Sequence, residues 1–441
     1  MYRFRTVAAV AFAASAIVAC SDSVTSPELS APETADLSVQ NGREDLVAGD
    51  VIVRTVDGVN PKDVARAHGL AFGELGYRGT FAILRGAAGL EHANARALAA
   101  DPRVVYAEPN YLRQTTTINP NLWAFYNPGG LNMKYTRGGS SGSFISSSYA
   151  SVADADEDNI EGYAAGGADV VIGSIDTGVD FTHPEFKNAD GTSRLIAGRD
   201  WYSNDNDPSD TEDHGSHTTG TMAGNTVGVA GVSGAAPHVK VYVQRVCGKR
   251  GCPTSAIVSA IRAAADYPGM VAMNLSLGGT SISQAETDAI AYATGKNVLV
   301  IASAGNDGTT TVSCPACDAN AISVAATTWQ DKLASYSNSG SGLDISAPGG
   351  NCFSNTTPEG CIYSAIRGGY GWMQGTSMAA PQVTGTAAIV ASKTGLRGQA
   401  LRDRIIQTVD DLGASGYDTT FGAGRVNSYR AVTGSSLPAG Q

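Results

Sequence analysis

The sequence lacks any Lys/Arg-rich run, and it has no long hydrophobic segment after its first twenty residues. Its 441 residues carry 30 Lys and Arg against 41 Asp and Glu, for a net charge of -11. Nucleic acids and anionic membranes attract basic surfaces, so this balance argues against either as a partner. The length allows one large domain and a smaller one, and without a later transmembrane segment the remainder is expected to be soluble.

The first twenty residues are typical of an export signal. Arg3 and Arg5 give a positive start, and the apolar stretch 7–19 that follows is too short to span a bilayer comfortably. The stretch ends in IVAC, which resembles the lipobox of bacterial lipoproteins and predicts a lipid on Cys20. The alternative is a plain cleaved signal in which Cys20 is incidental. We expect an exported protein whose precursor is anchored to the cell envelope and whose mature form is extracellular.

Six cysteines remain once Cys20 is set aside, and they form three pairs that are close in sequence: Cys247 and Cys252, Cys314 and Cys317, Cys352 and Cys361. In an exported protein such pairs predict local disulfides. A metal site would need four converging ligands, and no Cys-x-x-Cys pair has a matching partner pair. The CPAC segment has a redox-type spacing, but it does not lie at a strand-to-helix turn of a thioredoxin-like unit.

Composition divides the chain into five regions. We expect the signal in residues 1–20, a Ser/Thr/Pro/acid-rich linker in 21–45 and a small α+β domain in 46–114. Residues 115–167 are expected to hold an irregular processing region and the N-terminal part of the mature protein, and residues 168–435 an α/β domain. The small domain is predicted from strand-like GDVIVRT, GTFAILRG and VVYAEPN, and from helix-like NPKDVARAHGL and LEHANARALAADP. Their order favours a strand-helix-strand-strand-helix-strand arrangement.

The larger region has short, nearly continuous apolar runs, namely DVVIGSID, KVYVQRV, MVAMNLSL and NVLVIASAGN. Such runs are typical of parallel strands buried on both faces. Helix-like TSAIVSAIRAAADY and SQAETDAIAYATGK lie between them. We predict a parallel sheet with helices on both faces, and functional residues at the carboxyl ends of its strands.

Asp176 ends the first of these runs. A carboxylate that emerges from a buried strand needs partners, because an unpaired buried charge is costly. Those partners could be a catalytic group or only the amides of the following loop. Asp180 is a local alternative, but it lies past Gly178 and is less suited to burial.

His214 and His217 are three residues apart in DHGSHTTGTMAG. They could bind a metal ion, although the His-Glu-x-x-His motif is absent because Gly215 follows His214. The other interpretation makes His214 a general base on the first turn of a helix rich in small residues, with His217 as a packed structural neighbour.

Two further segments carry candidate polar groups. Asn306, at a predicted strand end, could donate to an oxyanion or could only form a turn with Asp307. The Gly278–Gly279 pair in MNLSLGG offers a backbone edge to which an extended peptide could add as a strand. Ser377 in GTSMAAP could be a helix N-cap, with Pro381 in the first turn. It could equally be a nucleophile, which would need a base, an orienting carboxylate and oxyanion donors.

Four motifs, IDTGVD, HGSHTTGT, SAGN and GTSMAAP, resemble in this order those of the subtilisin-like serine proteases, the subtilase family (peptidase family S8), over about residues 168–426. Asp, His, Ser is the subtilisin order, and Ala379 removes the Gly-x-Ser-x-Gly of the α/β-hydrolases. The resemblance implies a serine endopeptidase with Asp176, His214 and Ser377 as triad, an acyl-enzyme intermediate and Asn306 as oxyanion donor. It also implies a substrate-binding set of Ser276, Leu277, Gly278, Gly279, Ser303, Ala304 and Gly305.

These substrate-binding segments contain no acidic side chain, so the cleavage preference is expected to be broad and apolar-leaning. The sequence departs from the family at Ser216, where threonine is usual, and at Thr218–Thr219, where Val-Ala is common. The first exchange keeps a hydroxyl, and neither departure is expected to touch a reacting atom.

The resemblance further implies that residues 47–113 are an inhibitory propeptide, which docks on the protease, is cut off by self-processing and leaves YAEPNYLRQ in the cleft as a poor product. The expected partners are protein or peptide substrates and this propeptide, and the expected state is a monomer. No cofactor is required for the chemistry, but the family often uses structural calcium. DADEDN (154–159) and NDNDPSD (204–210) are oxygen-rich candidates that lack EF-hand spacing, and solvated acidic loops explain them equally.

Two other functions remain open at this stage. A catalytically silent subtilase-fold binding module would be expected to have lost a triad member, whereas all three are present. A metal-dependent hydrolase would use His214 and His217, and its activity would be sensitive to a chelator.

Overall fold

The computed structural model describes residues 46–115, 132–137, 140–145, 167–188, 190–224, 238–352 and 360–434. The predicted signal, the lipidation candidate Cys20, the linker and the calcium candidate 154–159 lie outside these residues. Among the described residues, no helix combines the length and apolar character needed to cross a membrane.

The N-terminal region forms a four-stranded antiparallel sheet with two helices. Its elements are β1 (Leu46–Thr55), α1 (Pro61–Ala67), β2 (Ala71–Leu75), β3 (Ala82–Arg85), α2 (Glu91–Ala99) and β4 (Val104–Thr115). The strand order is β4-β1-β3-β2. This is the strand-helix-strand-strand-helix-strand order predicted from the sequence. The β2 strand, AFGEL, was not recognised individually, because its pairing contains a register shift between Phe72 and Glu74 that disrupts alternation.

Alternation along β1 gives this sheet two buried faces. Val51 and Val53 pack with Val64 and Leu98 in the core of the small domain. Ile52, between them, points the other way and belongs to the same apolar cluster as residues of the large domain. The small domain is therefore packed on the rest of the chain through one face of its sheet.

The larger region contains a seven-stranded sheet in the order β15-β14-β13-β11-β7-β9-β8, in which all neighbours are parallel. Its strands are β7 (Val170–Asp176), β8 (Leu195–Asp200), β9 (Val239–Arg245), β11 (Met270–Leu275), β13 (Leu299–Ser303), β14 (Ala321–Thr327) and β15 (Ile345–Pro348). Strands β8 and β9 lie on one side of β7, and β11, β13, β14 and β15 lie on its other side. Asp176, the last residue of β7, therefore lies at the switch point of the sheet.

Helices cover both faces of the sheet. They are α3 (His214–Ala223), α4 (Thr254–Ala265), α5 (Gln284–Gly295), α6 (Thr376–Thr394), α7 (Gly398–Gln407) and α8 (Ser428–Thr433). Ile172 packs in the cluster that contains residues of α3, α6 and α7, whereas its neighbour Val171 packs in the cluster of α4 and α5. The predicted parallel sheet between two helical layers is confirmed.

Two hairpins were not predicted. β5 (Asn132–Arg137) pairs with β6 (Ser140–Ile145) in the region expected to be irregular; the segments contain β-favouring Thr, Tyr, Phe and Ile, which outweighed their Gly and Ser. β16 (Ile362–Ile366) pairs with β17 (Gly369–Met373) across a two-residue turn. This second hairpin leads directly into α6.

The structure contains all three disulfides predicted from the sequence: Cys247–Cys252, Cys314–Cys317 and Cys352–Cys361. The first includes Cys252, the first residue of the short strand β10 (Cys252–Pro253). The second lies beside Gly279, which follows the short strand β12 (Leu277–Gly278). Both therefore brace backbone edges near the carboxyl end of the sheet.

Each disulfide closes a short loop, so we expect each to contribute about 2 kcal/mol of stability by restricting the unfolded chain. Replacing Cys247 and Cys252 together by Ser should give a folded protein whose Tm is lowered by a few degrees. Non-reducing peptide mapping checks the pairing, and crossed pairs or free thiols at these six positions would contradict it.

Candidate active site

Asp176 and His214 form a buried hydrogen bond at the carboxyl end of β7. His214 Nδ1 donates to Asp176 Oδ1 over 2.7 Å, and the two side chains are only 3% and 1% exposed. The Thr177 N–H also donates to Oδ1 at 2.7 Å. The sequence left two kinds of partner open for Asp176, a catalytic group or a loop amide. In the structure its carboxylate accepts hydrogen bonds from both a loop amide and a histidine.

His214 begins α3, and the following residue fixes how closely that helix approaches β7. A Cβ at Gly215 would lie 2.1 Å from the carbonyl oxygen of Gly178, so no larger residue fits there. Further along α3, a Cβ at Gly220 would lie 2.3 Å from Ser364 Oγ of β16. The small residues of this helix allow it to run between the sheet and the hairpin.

The two histidines differ in their electrostatics. Burial opposes protonation of His214, but the charge and hydrogen bond of Asp176 outweigh it and raise the pKa above the ordinary 6.5. Burial and the neighbouring His214 lower the pKa of His217 to about 3. His217 Nε2 donates to Ile362 O at 3.1 Å, so His217 is a neutral residue that joins α3 to β16.

The opposite nitrogen of His214, Nε2, is buried and has no hydrogen-bond partner among the described residues. Helix α3 packs against α6, which carries Ser377 in its first turn. The imidazole is therefore oriented by Asp176 with its second nitrogen left available for another group.

Ser377 is not a helix cap. The N-cap of α6 is Gly375, and Ser377 is the second helical residue. Pro381 is the sixth, not a residue of the first turn, so that part of the N-cap interpretation is wrong. The helix starts earlier than expected because Gly375 adopts a φ of 151°, a conformation that only glycine reaches easily.

Pro381 instead removes the helical hydrogen bond that the Ser377 carbonyl would otherwise accept. A proline has no N–H, so the Ser377 carbonyl, four residues earlier, receives no helical hydrogen bond. Ser276 Oγ donates to this carbonyl at 2.7 Å, and Asn274 Nδ2 donates to Ser276 Oγ at 2.9 Å. The Ser377 hydroxyl donates back to Ser276 O at 3.4 Å. Ser276 thus contacts Ser377 directly, a role that sequence reasoning missed and that Pro381 could have indicated.

Asn306 lies beside the start of α6. Its Oδ1 accepts hydrogen bonds from the N–H and the hydroxyl of Thr376, both at 2.9 Å. These bonds fix the orientation of the amide, because with Oδ1 facing Thr376 the Nδ2 donor must face away from it. Asn306 therefore does more than form a turn with Asp307, because its side chain binds the start of α6.

The remaining predicted substrate-binding residues lie on two adjacent segments that follow β11 and β13. Ser303 Oγ donates to Leu277 O at 3.4 Å, and Gly305 N donates to Thr376 Oγ1 at 3.2 Å. Residues 313–314 bridge the segments, because Ser313 N donates to Ala304 O and Cys314 pairs with Gly279 in both directions, all at 2.8 Å.

The backbone edge at Leu277–Gly278 takes an antiparallel strand, and that strand is the end of β4. Thr115 lies opposite Leu277, and Gln114 lies opposite Gly278. On its other side β4 pairs with β10, with Arg113 opposite Cys252 and Leu112 opposite Pro253. The segment 112–115 of the same chain therefore lies between two edges at the carboxyl end of the large sheet.

Polar contacts hold the small domain over α4 and α5. The carboxylate of Glu108 accepts the N–H groups of Gln284 and Ala285, at 2.6 and 2.7 Å, at the start of α5. Asn110 Oδ1 accepts the N–H of Ser255, at 3.0 Å, at the start of α4. Both contacts satisfy N–H groups that a helix leaves unpaired.

Asp266, at the end of α4, is the centre of a second group of contacts. It accepts hydrogen bonds from Tyr292 at 2.6 Å and from Tyr77 of the small domain at 2.7 Å, and it pairs with Lys296 and Arg78. Burial would raise the pKa of this carboxyl, but the bonds from Lys296, Tyr292 and Tyr77 lower it to about 2. The carboxylate is therefore ionised at neutral pH.

The structure agrees with one expectation about neighbouring residues and revises another. Asp180 does not compete with Asp176, because its carboxylate accepts from Thr182 and from Gly368 N of the hairpin turn. Thr218 was expected to touch no reacting group, but its hydroxyl donates to Asp176 Oδ2 at 3.1 Å. Its position four residues after His214, on the same helix face, was the available signal.

The geometry does not favour metal binding by His214 and His217. His214 Nδ1 is bound to Asp176 and His217 Nε2 to Ile362 O, and the described part of the chain contains no group of three or more His, Cys, Asp or Glu side chains placed to hold an ion. In the calcium candidate 204–210, Asp205 and Asp207 accept from backbone N–H groups of their own loop.

Comparisons with known proteins point to one family. Residues 167–424 match the Subtilase family (Peptidase_S8). The chain is 35% identical to the thermophilic serine proteinase of Bacillus sp. (strain AK1), over 94% of each chain. It is 36% identical to thermitase of Thermoactinomyces vulgaris, over 61% of this chain and 90% of thermitase.

Among solved structures, fervidolysin from Fervidobacterium pennivorans superimposes with a TM-score of 0.70 at 23% identity, covering 91% of this chain and 63% of fervidolysin. At this identity the likeness concerns the fold. The family match spans more than half of the sequence and the Bacillus relative nearly all of it. The chain accordingly belongs to the subtilase family and is a serine endopeptidase.

Proposed function

We propose that the protein hydrolyses peptide bonds through Asp176, His214 and Ser377 and through an acyl-enzyme intermediate. The observation that carries this assignment is the buried Asp176–His214 hydrogen bond, with α3 packed on the helix that holds Ser377. In the part of the chain that the structure describes, His214 Nε2 has no hydrogen-bond partner. A histidine oriented in this way can accept a proton from a neighbouring serine.

In the first half of the reaction, His214 Nε2 removes the proton from Ser377 Oγ as the oxygen attacks the scissile carbonyl carbon. Asp176 holds the imidazole tautomer and stabilises its cationic form. The Ser377 hydroxyl bonds to Ser276 O at 3.4 Å, which is long enough to be exchanged for His214 when substrate binds.

The tetrahedral oxyanion is bound by the Asn306 amide and by the N–H of Ser377, in the first turn of α6, where the helix dipole favours negative charge. The imidazolium then protonates the leaving amine, and the acyl-enzyme forms. A water molecule then gives a proton to His214 as its oxygen attacks the acyl carbon. His214 returns a proton to Ser377 Oγ as the bond between that oxygen and the acyl carbon breaks, and the carboxylic acid is released. These steps require no cofactor.

We further propose that the small domain is an inhibitory propeptide. The segment 112–115 occupies backbone edges that an extended substrate would use, and Glu108, Asn110 and Tyr77 attach the domain to α4 and α5. Self-processing would separate this domain from the catalytic domain. A lipid on Cys20 would then anchor only the exported precursor, and the mature enzyme would be released as a monomer.

A catalytically silent binding module is the alternative. Such a protein would have no reason to keep a buried histidine with an oriented, unpartnered nitrogen, since an unsatisfied buried polar atom is destabilising.

Replacing the nucleophile should abolish activity without unfolding the protein. Ser377→Ala is expected to lower kcat about 10⁶-fold, the size found for the triad serine of subtilisin, because the remaining residues cannot form the acyl-enzyme. The variant should accumulate as a precursor that retains residues 46–115, as seen on gels and by mass spectrometry. A Ser377→Ala protein that matures by itself and digests casein normally would place the nucleophile elsewhere.

The pH dependence should report His214. Because His214 acts only when neutral and its pKa is raised above 6.5, kcat/KM should fall as the pH drops through a value above 6.5. A peptide substrate assayed from pH 5 to 10 measures this limb. His217→Ala is the control, since a group with a pKa of about 3 does not titrate in this range; it should lower stability and leave the limb in place.

Docking of the small domain should depend on Tyr77. Tyr77→Phe removes one hydrogen bond to the Asp266 carboxylate, and a bond to a charged group is worth about 1.5–3 kcal/mol. In the full chain, the lag between the cut and the appearance of peptidase activity should therefore shorten. Tyr106→Phe is the control, because Tyr106 is a small-domain residue that packs against the large-domain cluster containing Ile52 but its hydroxyl does not bind Asp266. Equal lags in both variants would exclude Tyr77 as an anchor.

A further inference from the structure

Asp210 is a buried carboxylate that the mechanism above does not use. It lies four residues before His214 and is 7% exposed. Its partners are hydroxyl and amide groups of the described chain. Oδ1 accepts from Thr177 Oγ1 at 2.9 Å and from the N–H groups of Glu212 and Asp213 at 2.9 and 3.1 Å. Oδ2 accepts from the hydroxyl and the N–H of Ser216, at 2.6 and 2.9 Å.

These bonds connect the two elements that carry Asp176 and His214. Thr177 is the residue after Asp176, and Ser216 is in the first turn of α3. Thr177 Oγ1 also accepts the N–H of Gly215 at 2.8 Å, so the hydroxyl donates to Asp210 and accepts from the residue after His214. One carboxylate and one hydroxyl thus hold the end of β7 against the start of α3.

The placement is costly. Burial raises the pKa of Asp210, although the bonds from Ser216, Glu212 and Thr177 oppose this. An amide or a hydroxyl could cap α3 with less loss of hydration. A charged residue at this position needs a reason beyond capping.

That reason is found in the charges that face His214. Asp176 faces it from β7 and Asp210 from the loop before α3, and both favour its protonated form. His217, on the same helix, is neutral. On the hairpin side, Asp213 is paired with Arg367 at 2.6 Å, and α6 contributes the uncharged Ser377. Within the described part of the chain, Asp210 therefore joins Asp176 as a carboxylate whose charge favours the imidazolium.

We propose that Asp210 is a positioning residue for His214, which joins α3 to the end of β7 and supplies a second negative charge that stabilises the imidazolium during the reaction. The inference rests on the proposed function, since it assigns a partner to the proposed general base. It extends that function to a carboxylate outside the triad.

Asp210→Asn tests both parts. Loss of the charge and of one acceptor should lower kcat/KM by roughly 10- to 100-fold through misplacement of the imidazole. The acid limb of the pH profile should move about half a pH unit or more toward lower pH, because His214 loses a nearby anion that favours its charged form. Processed enzyme is counted by titration with a serine-reactive acylating agent, so that slower maturation does not affect the rates.

Asp190→Asn is the matched control. Asp190 also accepts an N–H and a hydroxyl, both from Thr192, but it is exposed and these two bonds stay within its own loop. It should keep the wild-type rate and pH limb. If Asp210→Asn lowers kcat/KM but leaves the acid limb of the pH profile in place, Asp210 acts only as a hydrogen-bond acceptor for α3 and Thr177. That result would overturn the electrostatic part of the proposal.

Thr177→Val separates the two parts and serves if Asp210→Asn does not fold. It breaks the link between β7, Asp210 and Gly215 but keeps the carboxylate. The rate should fall and the acid limb should stay in place. A wild-type rate in Thr177→Val would overturn the positioning part.

His214→Ala distinguishes this inference from the proposed function. If His214→Ala is active the function fails, whereas an inactive His214→Ala with a fully active Asp210→Asn overturns only the role of Asp210.

Discussion

The hydrogen bond between Asp176 and His214 is the interaction on which the arrangement of the site depends. A carboxylate at the end of a strand buried on both faces is stable only if its oxygens are paired. Asp176 meets that condition with Thr177 N, Thr218 Oγ1 and His214 Nδ1. The last two groups belong to α3, so that helix must approach β7 closely enough to bring them there. The absence of a side chain at Gly215 and the bonds of Asp210 follow from this requirement.

The other half of the site is fixed by a different device. Because Pro381 removes a helical hydrogen bond, the Ser377 carbonyl turns to Ser276, and α6 becomes attached to the segment that follows β11. Asn306 binds Thr376 at the same helix start. His214 and Ser377 are therefore held by separate elements, each tied to the carboxyl edge of one sheet. Their relative position depends on that sheet, not on either loop alone.

The same edge explains why the small domain occupies its observed position. Leu277–Gly278 and Cys252–Pro253 are short backbone edges that have unpaired donors and acceptors on their facing sides, and β4 satisfies both. The starts of α4 and α5 receive side chains of Asn110 and Glu108. Under the proposal that the domain is an inhibitory propeptide, a substrate would take the place of 112–115 on the two edges. The N–H groups at the starts of α4 and α5 would lose their partners when the domain leaves.

The sequence by itself determined the layered parallel sheet, the order of the small domain, the cysteine pairs and the candidates Asp176, His214, Asn306 and Ser377. Each of these depends on local periodicity, short spacing or a contiguous motif, which are properties of neighbouring residues. The sequence did not reveal the β16–β17 hairpin or the contact of Thr218 with Asp176. It also did not reveal the hydrogen bond from Ser276 to the Ser377 carbonyl or the bonds of Asp210. Those join residues of separate elements, in some cases about a hundred positions apart. Only the close packing of α3 and α6 on the sheet decided which hydroxyl meets which carboxylate or carbonyl, because a hydrogen bond forms only at the short distances that packing sets.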